Sequence, residues 1–561
     1  MLRSKAFFST CSQNITKLFY KRPNSQQSLF SPGKKMDINS ENQFFTNVNG
    51  VIDRMNSERE DLSKLRSIFN SPQSRFILSI NGSSNFLFSN RPSSISSESP
   101  LSLPEAEKKT RIQNLKFLTL KDVLKCSFLD LDFYIDSESN PSRTTVTLID
   151  DVPKRISSNY STATFLPNKS SIVFIGRLSS DISNIADLSN SLLISDSSAS
   201  PINPNNSLSE SPNFYIWAID VGRLSSYSLE TFSSFNSAHG IKDSTPHSHE
   251  KFELDIANLF GAKFLDFRTG SFGLLPSQAH IIAIAKSVID WNYRNQHCPS
   301  CGTLTWPAQA GFKRLCVNGL VSSDSIAHLK SSQSITNEKP HNVLILEKKL
   351  FTEEAFKPCI SQTTLNNFAF PRTDAVVIIA IISPDEKHIL LARRKNFPPN
   401  RYSCISGFID PAESIEDAVR RESIEEVGLK LSNVTYFSSQ PWPLPNSLMI
   451  GCFAKALTLD IALDNNELED AKWFSINDMF NPVKNIEISS HLKFPRITTN
   501  ISLDQLESNI KEKKSTTGKS DNNDMQISDL SKEYQLPPAV AIGYFLVQTW
   551  CKSQLESANK L

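Results

Sequence analysis

The stretch GFIDPAESIEDAVRRESIEEVGL, residues 407–429, decides how the rest of the chain is read. It places Gly407 six residues before Glu413, and follows them with a dense cluster of Arg421, Glu422, Glu425 and Glu426 closed by Gly428. From 411 to 427 the pattern is helical. Ile415, Ala418, Val419 and Ile424 are read as one apolar stripe, with charged residues on the other faces. On such a helix Glu422, Glu425 and Glu426 stand at i, i+3 and i+4, so their carboxylates converge on one side. Like charges on adjacent turns repel one another and make a poor structural choice without a cation between them. Hard oxygen ligands in that number suit Mg2+ or Mn2+, which bind a few carboxylates and take their other ligands from water and substrate phosphates.

The pattern resembles the Nudix box, Gx5Ex7RE-aliphatic-xEExG-aliphatic. Gly407, Glu413, Arg421, Glu422, Glu425, Glu426, Gly428 and Leu429 fall in its register. Ser423 departs from it, since an aliphatic residue is usual there; looser packing beneath the helix is the expected consequence. The alternative, a solvated helix that happens to be rich in glutamate, has little room: seven fixed positions at roughly 7% usage match by chance on the order of 10⁻⁸ per window. The resemblance implies a loop–helix–loop element that hydrolyses a nucleoside diphosphate linked to another moiety. In it Arg421, Glu422, Glu425 and Glu426 would be catalytic, and Gly407, Glu413 and Gly428 structural. The family places a further metal-binding glutamate downstream, aligned here with Glu467; Glu469 and Asp470 lie close by. Whether Glu467 completes the metal shell or acts as base stays open.

Residues 439–449 read SQPWPLPNSLM. Three closely spaced prolines, Pro441, Pro443 and Pro445, fit neither a helix nor a central strand, so a rigid extended loop is expected, holding Trp442 in its middle. A stiff aromatic loop with Gln440, Asn446 and Ser447 at its ends suits stacking and hydrogen bonding to a flat ring. A plain surface connector is the alternative. The segment resembles the SQPWPxPxS array of the NADH pyrophosphatase branch of Nudix hydrolases. That resemblance implies a nucleotide pocket lined by Phe370, Ser406, Gln440, Pro441, Trp442, Pro443, Leu444, Pro445, Asn446, Ser447 and Ala541. Phe370 stands where tyrosine is more usual, so stacking survives and a hydroxyl contact does not.

Upstream, residues 297–316 carry Cys298, Cys301 and Cys316 at zinc-ribbon spacing. A fourth ligand is needed. By resemblance it lies shortly before the Phe370–Pro371–Arg372 element, and Cys359 is the cysteine there; His328 and His341 are alternatives. Unconnected buried thiols or a redox pair are the competing reading. A closed four-ligand site leaves no position for substrate, so the zinc is expected to be structural.

The chain has 561 residues, room for two or three domains. Its net charge of +1 speaks against a broad nucleic-acid or membrane footprint. Nine cysteines without dense spacing suggest a reducing compartment. No apolar run approaches the ~20 residues that span a bilayer, so a soluble protein without a membrane partner is expected. Residues 1–36 are basic and hold no acid, like a mitochondrial presequence, or they are a disordered extension. The ending Asn559–Lys560–Leu561 is close to a peroxisomal address. Mitochondrion, peroxisome and cytoplasm therefore all stay open.

Short strands are expected at 75–80, 85–88, 145–149, 171–178 and 213–221, with a disordered insertion at 179–212, then a helix over 276–292. In the last third, 374–382 is a nearly continuous β-branched run typical of a buried strand, followed by strands at 388–394 and 447–457, a polar loop at 511–532 and a closing helix at 539–550. The expected fold class is α/β. A C-terminal Nudix α/β/α sandwich (372–555) follows a zinc ribbon with a long insertion (297–371) and an N-terminal mixed α+β Nudix-like domain (43–292). The expected function is metal-dependent hydrolysis of NADH or NAD+ to AMP and a nicotinamide mononucleotide, by a homodimer. The nearest alternative is removal of NAD caps from RNA 5′ ends by the same chemistry. A reading of another class, a non-catalytic dinucleotide sensor, is disfavoured by the intact glutamate set.

Overall fold

A computed structural model describes residues 52–89, 114–126, 171–178, 214–222, 249–274, 276–303, 305–316, 359–363, 368–479, 482–483 and 534–558. The expectations for residues 1–36, 145–149, 179–212, 511–532 and 559–561, and for His328 and His341, lie outside them.

The first layer system is a six-stranded mixed sheet, β1 (Ile52–Asp53), β2 (Ser74–Ile80), β3 (Asn85–Ser89), β4 (Ser171–Leu178), β5 (Tyr215–Asp220) and β6 (Ala262–Asp266). Its spatial order is β1-β4-β5-β2-β3-β6, with β2 and β5 parallel. Alternation along each strand feeds two cores. Phe76, Leu78 and Ile80 face α1 (Leu62–Phe69) and α3 (His249–Leu259), while α2 (Leu120–Leu124) adds Val123 to that side. Ile77, Phe86 and Phe88 face the opposite core, where α4 (Phe267–Ser271) and the long α5 (Pro276–Arg294) cover the sheet.

A hairpin of β7 (Thr305–Ala308) and β8 (Lys313–Cys316), with the short α6 (Ile360–Thr363), follows α5. Arg314 fixes it there: its buried guanidinium donates to the Thr305 hydroxyl and carbonyl and to the Asn292 side chain on α5.

The last third forms a second mixed sheet from β9 (Asp374–Ile382), β10 (His388–Arg394), β11 (Ile405–Phe408), β12 (Leu431–Trp442), β13 (Ser447–Ala456) and β14 (Leu468–Ser475). The order is β12-β13-β9-β10-β14, β11 pairs with β9, and β13 runs parallel to β9. Central β9 is buried on both faces, as its β-branched run implies. Val377, Ile379 and Ile381 face α7 (Ile415–Val427); Ile378, Ala380 and Ile382 face α8 (Ile542–Ala558). This is the α/β/α sandwich.

The two sheets share a plan. Counted from β2 and from β9, with β11 set aside, both run third-fourth-first-second-fifth, with the first and fourth strands parallel and a long helix after the fifth covering one face.

Three details differ from the sequence reading. The helix begins at Ile415 rather than 411, because Ser414 caps it by accepting the Asp417 N–H. Ile424 is half-exposed, not part of the apolar stripe; at roughly 100° per residue it stands about 240° round from Ala418. The proline segment is not wholly a loop. Pro441 and Trp442 end β12 and pair with β13, and residues 443–446 make the turn. Proline is tolerated because β12 is the edge of the sheet, where one side needs no donor. Among the described residues no helix is long and apolar enough to cross a membrane.

Candidate active site

Helix α7 leans on β9 through Ala418 and Val419, and the same face carries Glu422 and Glu426 inward. Both carboxylates are therefore largely buried, whereas the Glu425 side chain is 58% exposed. The C-terminus of the helix is closed by Gly428, whose φ of 69° is left-handed, and by the Leu429 N–H on the Ser423 carbonyl. Ser423 does not leave a loose spot. It is fully buried, and its hydroxyl donates to the Leu429 carbonyl at 2.9 Å.

Arg421 organises the acids. Its guanidinium makes a two-point contact with Glu413, at 2.6 and 2.8 Å, and donates to Glu422 at 2.7 Å, to Glu425 at 2.9 Å and to the Phe408 carbonyl at 2.8 Å. These hydrogen bonds, with the Asp410 N–H on the same carboxylate, hold the Glu413 pKa down to about 2. Burial acts in the opposite direction on the inner acids. It raises the pKa of Glu422 against the pull of Arg421 and pushes that of Glu426 up to about 7, Arg394 opposing and the charges of Glu422 and Glu467 adding to the rise. Glu467 lies on the turn before β14, and its charge adds to the rise at both inner carboxylates.

Arg394, at the end of β10, was not singled out in the sequence. It reaches Glu426 Oε1 at 3.3 Å and the Ser406 carbonyl at 2.9 Å. The paired arginines that close β10 were the available signal. The other oxygen, Glu426 Oε2, is buried and has no hydrogen-bond partner among the described residues. A buried anionic oxygen without a donor is costly unless something positive faces it. Hard carboxylate oxygens, one of them orphaned, fit a divalent cation such as Mg2+ or Mn2+.

The expected pocket residues fall in two groups. Gln440 is buried, its amide donating to the Val540 carbonyl and accepting the Ile542 N–H, each at 2.8 Å; buried Ala541 lies between those two partners at the start of α8. Asn446 donates to the Arg372 carbonyl and its own carbonyl accepts the Asp374 N–H, tying the hairpin turn to the strand that follows Phe370. Pro443 and Pro445 shape the turn, and buried Ser447 begins β13. Phe370 is 44% exposed, with Lys313 Nζ 5.4 Å from its ring centroid. Ser406 lies on β11 opposite Ile378. Trp442 and Leu444 are partly buried and pack on the core of the first sheet.

A second cluster lies beside the β7–β8 hairpin. The thiols of Cys298, Cys301, Cys316 and Cys359 all lie within 4.8 Å of one another, and Cys298–Cys359 and Cys301–Cys316 approach to 3.8 and 3.4 Å. Tetrahedral ligands at about 2.3 Å from zinc stand about 3.8 Å apart, so these thiols are spaced for such an ion. The Ser361 hydroxyl donates to the Cys359 sulfur at 3.2 Å.

Residues 371–493 match the NUDIX domain family. The chain carries a Nudix domain. It is 39% identical to the NAD-capped RNA hydrolase of Homo sapiens over 202 residues, covering 36% of each chain. It is 34% identical to the NAD-capped RNA hydrolase of Schizosaccharomyces pombe over 241 residues, which is 40% of this chain and 56% of that one. A mitochondrial NAD(P)H pyrophosphatase of Mus musculus is 30% identical over 246 residues, 43% of this chain and 54% of that one. The matches therefore span 36% to 56% of these relatives' own length. The Nudix domain match ends before α8, which nonetheless supplies the second helical layer of the sandwich.

Proposed function

We propose that the protein is a metal-dependent diphosphatase that cuts NADH or NAD+ into AMP and a nicotinamide mononucleotide. The observation that carries this reading is the orphaned, buried Glu426 Oε2 beside Glu422, within a Nudix domain whose relatives are named for NAD-capped RNA and NAD(P)H hydrolysis. Glu422, Glu425, Glu426 and Glu467 would hold Mg2+ or Mn2+. A cation there, when bound, supplies Lewis acidity for phosphate oxygens and lowers the pKa of water. The chain's own residues do the rest. Arg421 fixes three carboxylates through directed hydrogen bonds, Arg394 holds one oxygen of Glu426 so that the other points free, and Gly407 leaves room for the Glu422 carboxylate. Phe370 offers a ring face for stacking, and Ala541, between the two residues that Gln440 holds, is assigned to the pocket by the resemblance.

The names of the relatives favour a second substrate, NAD-capped RNA, cleaved at the same diphosphate. The four thiols are assigned to a structural Zn2+, because all ligand positions are filled from the chain. The shared strand order of the two sheets supports a Nudix-like origin for the N-terminal domain. The homodimer implied by the resemblance is checked by sedimentation equilibrium.

The test is product analysis with Mg2+ or Mn2+ on NADH, NAD+, ADP-ribose and NAD-capped RNA. AMP with a nicotinamide mononucleotide, or RNA left with a 5′-monophosphate, is the expected result. No metal-dependent cleavage of any of the four overturns the reading.

A further inference from the structure

We propose that Phe272, in the N-terminal domain, is the positioning residue for the SQPWP hairpin, and that the N-terminal domain thereby sets recognition of the dinucleotide in the Nudix domain. The proposal rests on the reading of NADH as substrate. Phe272 follows α4, and its ring centroid lies 6.1 Å from that of Trp442, with the planes tilted by 37°. Trp442 and Leu444 both pack on the first-sheet core that contains Phe86, Phe88 and Leu274, and Val540 is buried in that same core. Two contacts from the Nudix domain thus meet in one place. The hairpin inserts its apolar side chains into the N-terminal domain, and the segment leading into α8 does the same.

The hairpin is also tied to both walls of the proposed pocket. Gln440 grips the residues on either side of Ala541, and Asn446 grips Arg372, two residues after Phe370. Between these anchors Pro441 and Pro443 fix the backbone around Trp442, so the segment moves as a stiff unit. A shift of the Trp442 ring is then passed to the Phe370 side and the Ala541 side together. The glutamates of α7 share none of these bonds. Loosening Trp442 therefore weakens recognition of the distal nucleotide and leaves the hydrolytic step intact. An isolated Nudix domain would lack this brace, since Phe272 belongs to a different sheet system.

The experiment compares wild type, Phe272→Ala, Trp442→Ala and the double variant on NADH and ADP-ribose with Mn2+, with Phe272→Tyr as the conservative rescue. The expected result for Phe272→Ala is a KM for NADH raised about tenfold with kcat held, a smaller change on ADP-ribose, recovery in Phe272→Tyr, and a double variant no worse than Trp442→Ala alone. Losses that multiply in the double variant, or an unchanged KM for NADH, overturn the proposal. A second readout does not depend on activity. The emission of Trp442, isolated as the difference between otherwise identical proteins with and without Trp442→Phe, shifts to longer wavelength when Phe272 is replaced by alanine. An unmoved spectrum also overturns the proposal. If wild type cleaves neither substrate, the functional reading fails by itself, and the emission alone decides whether Phe272 positions the hairpin.

Discussion

Gly407 and Glu422 occupy one another's space: a Cβ on Gly407 would fall 1.9 Å from the Glu422 carboxyl carbon and 2.0 to 2.2 Å from its oxygens. The glycine opening the box is thus required by the close approach of strand β11 to a buried carboxylate, rather than by a left-handed turn. Gly428 is the opposite case, held by a φ of 69° and by an Ala462 Cβ that a side chain would meet at 2.6 Å.

Gly407→Ala is therefore expected to expel the Glu422 carboxylate from its place while the sandwich persists. Turnover should fall by at least two orders of magnitude, in line with the cost of misplacing a reacting group by about 1 Å. Circular dichroism and a melting curve close to wild type, with activity lost, are the expected pair of measurements.

Glu426→Gln should fold, because it keeps the shape and replaces a buried, half-partnered carboxylate with a neutral amide. Its turnover should drop by several orders of magnitude, since an amide cannot supply the anionic oxygen that the cation needs. Titration calorimetry with Mn2+ should show the same loss in binding, apart from any substrate. Near-normal turnover in a folded variant contradicts the assignment.

Arg421→Lys is expected to behave as a severe change. A lysine is a point charge and cannot serve Glu413 from two sides while also reaching Glu422 and Glu425. Activity should fall roughly 10- to 100-fold, the range seen when a group that orients metal ligands is removed. Steady-state rates across a series of Mn2+ concentrations measure it: a higher metal requirement is the expected pattern.

The four-thiol cluster should hold one zinc per chain by elemental analysis, and Cys301→Ser or chelation should lower the melting temperature, because metal binding is coupled to folding. Protein purified without zinc, with Cys359 alkylating freely, contradicts this.

The legible parts of the chain were those whose signal is local. The box declared itself through spacing along one helix, and β9 through an unbroken β-branched run buried on both faces. The cysteines at 298, 301 and 316 were equally readable, and Cys359 was reachable through the resemblance, which puts a ligand shortly before the Phe370–Pro371–Arg372 element. Ile424 was misread because the stripe was extended past the helix phase that Ala418 and Val419 define. Arg394 and Phe272 were invisible for a different reason: each finds its partner across the fold, Arg394 on α7 and Phe272 on the far sheet's hairpin. A strand-end arginine and a lone phenylalanine carry no pattern that announces such contacts.

Gln440 shows the same limit, and it yields the sharpest test of how α8 is held. Its signal in the sequence was a place in a motif associated with substrate, yet its amide is bonded to Val540 and Ile542, 100 and 102 residues away. The side chain is 1% exposed, so neither partner can turn to water if the amide is lost. Gln440→Glu keeps the shape and the acceptor for the Ile542 N–H, and removes the donor to the Val540 carbonyl, placing an anion against it. The expected cost is about 2–4 kcal/mol, the sum of a buried unpaired carbonyl and a poorly solvated charge. The sign with pH follows from which form fits. A protonated carboxyl can donate to Val540 again, so burial raises the introduced acid's pKa above the ordinary carboxyl value of about 4.3; the variant's deficit should be full above that raised pKa, shrink as pH falls through it, and level off below about 4.3. Gln440→Leu removes both bonds and carries no proton, so its deficit should be flat over the same range. Urea melts of the three proteins between neutral and acid pH separate these outcomes, and parallel pH profiles for the Glu and Leu variants would show that Gln440 does not hold α8 in this way.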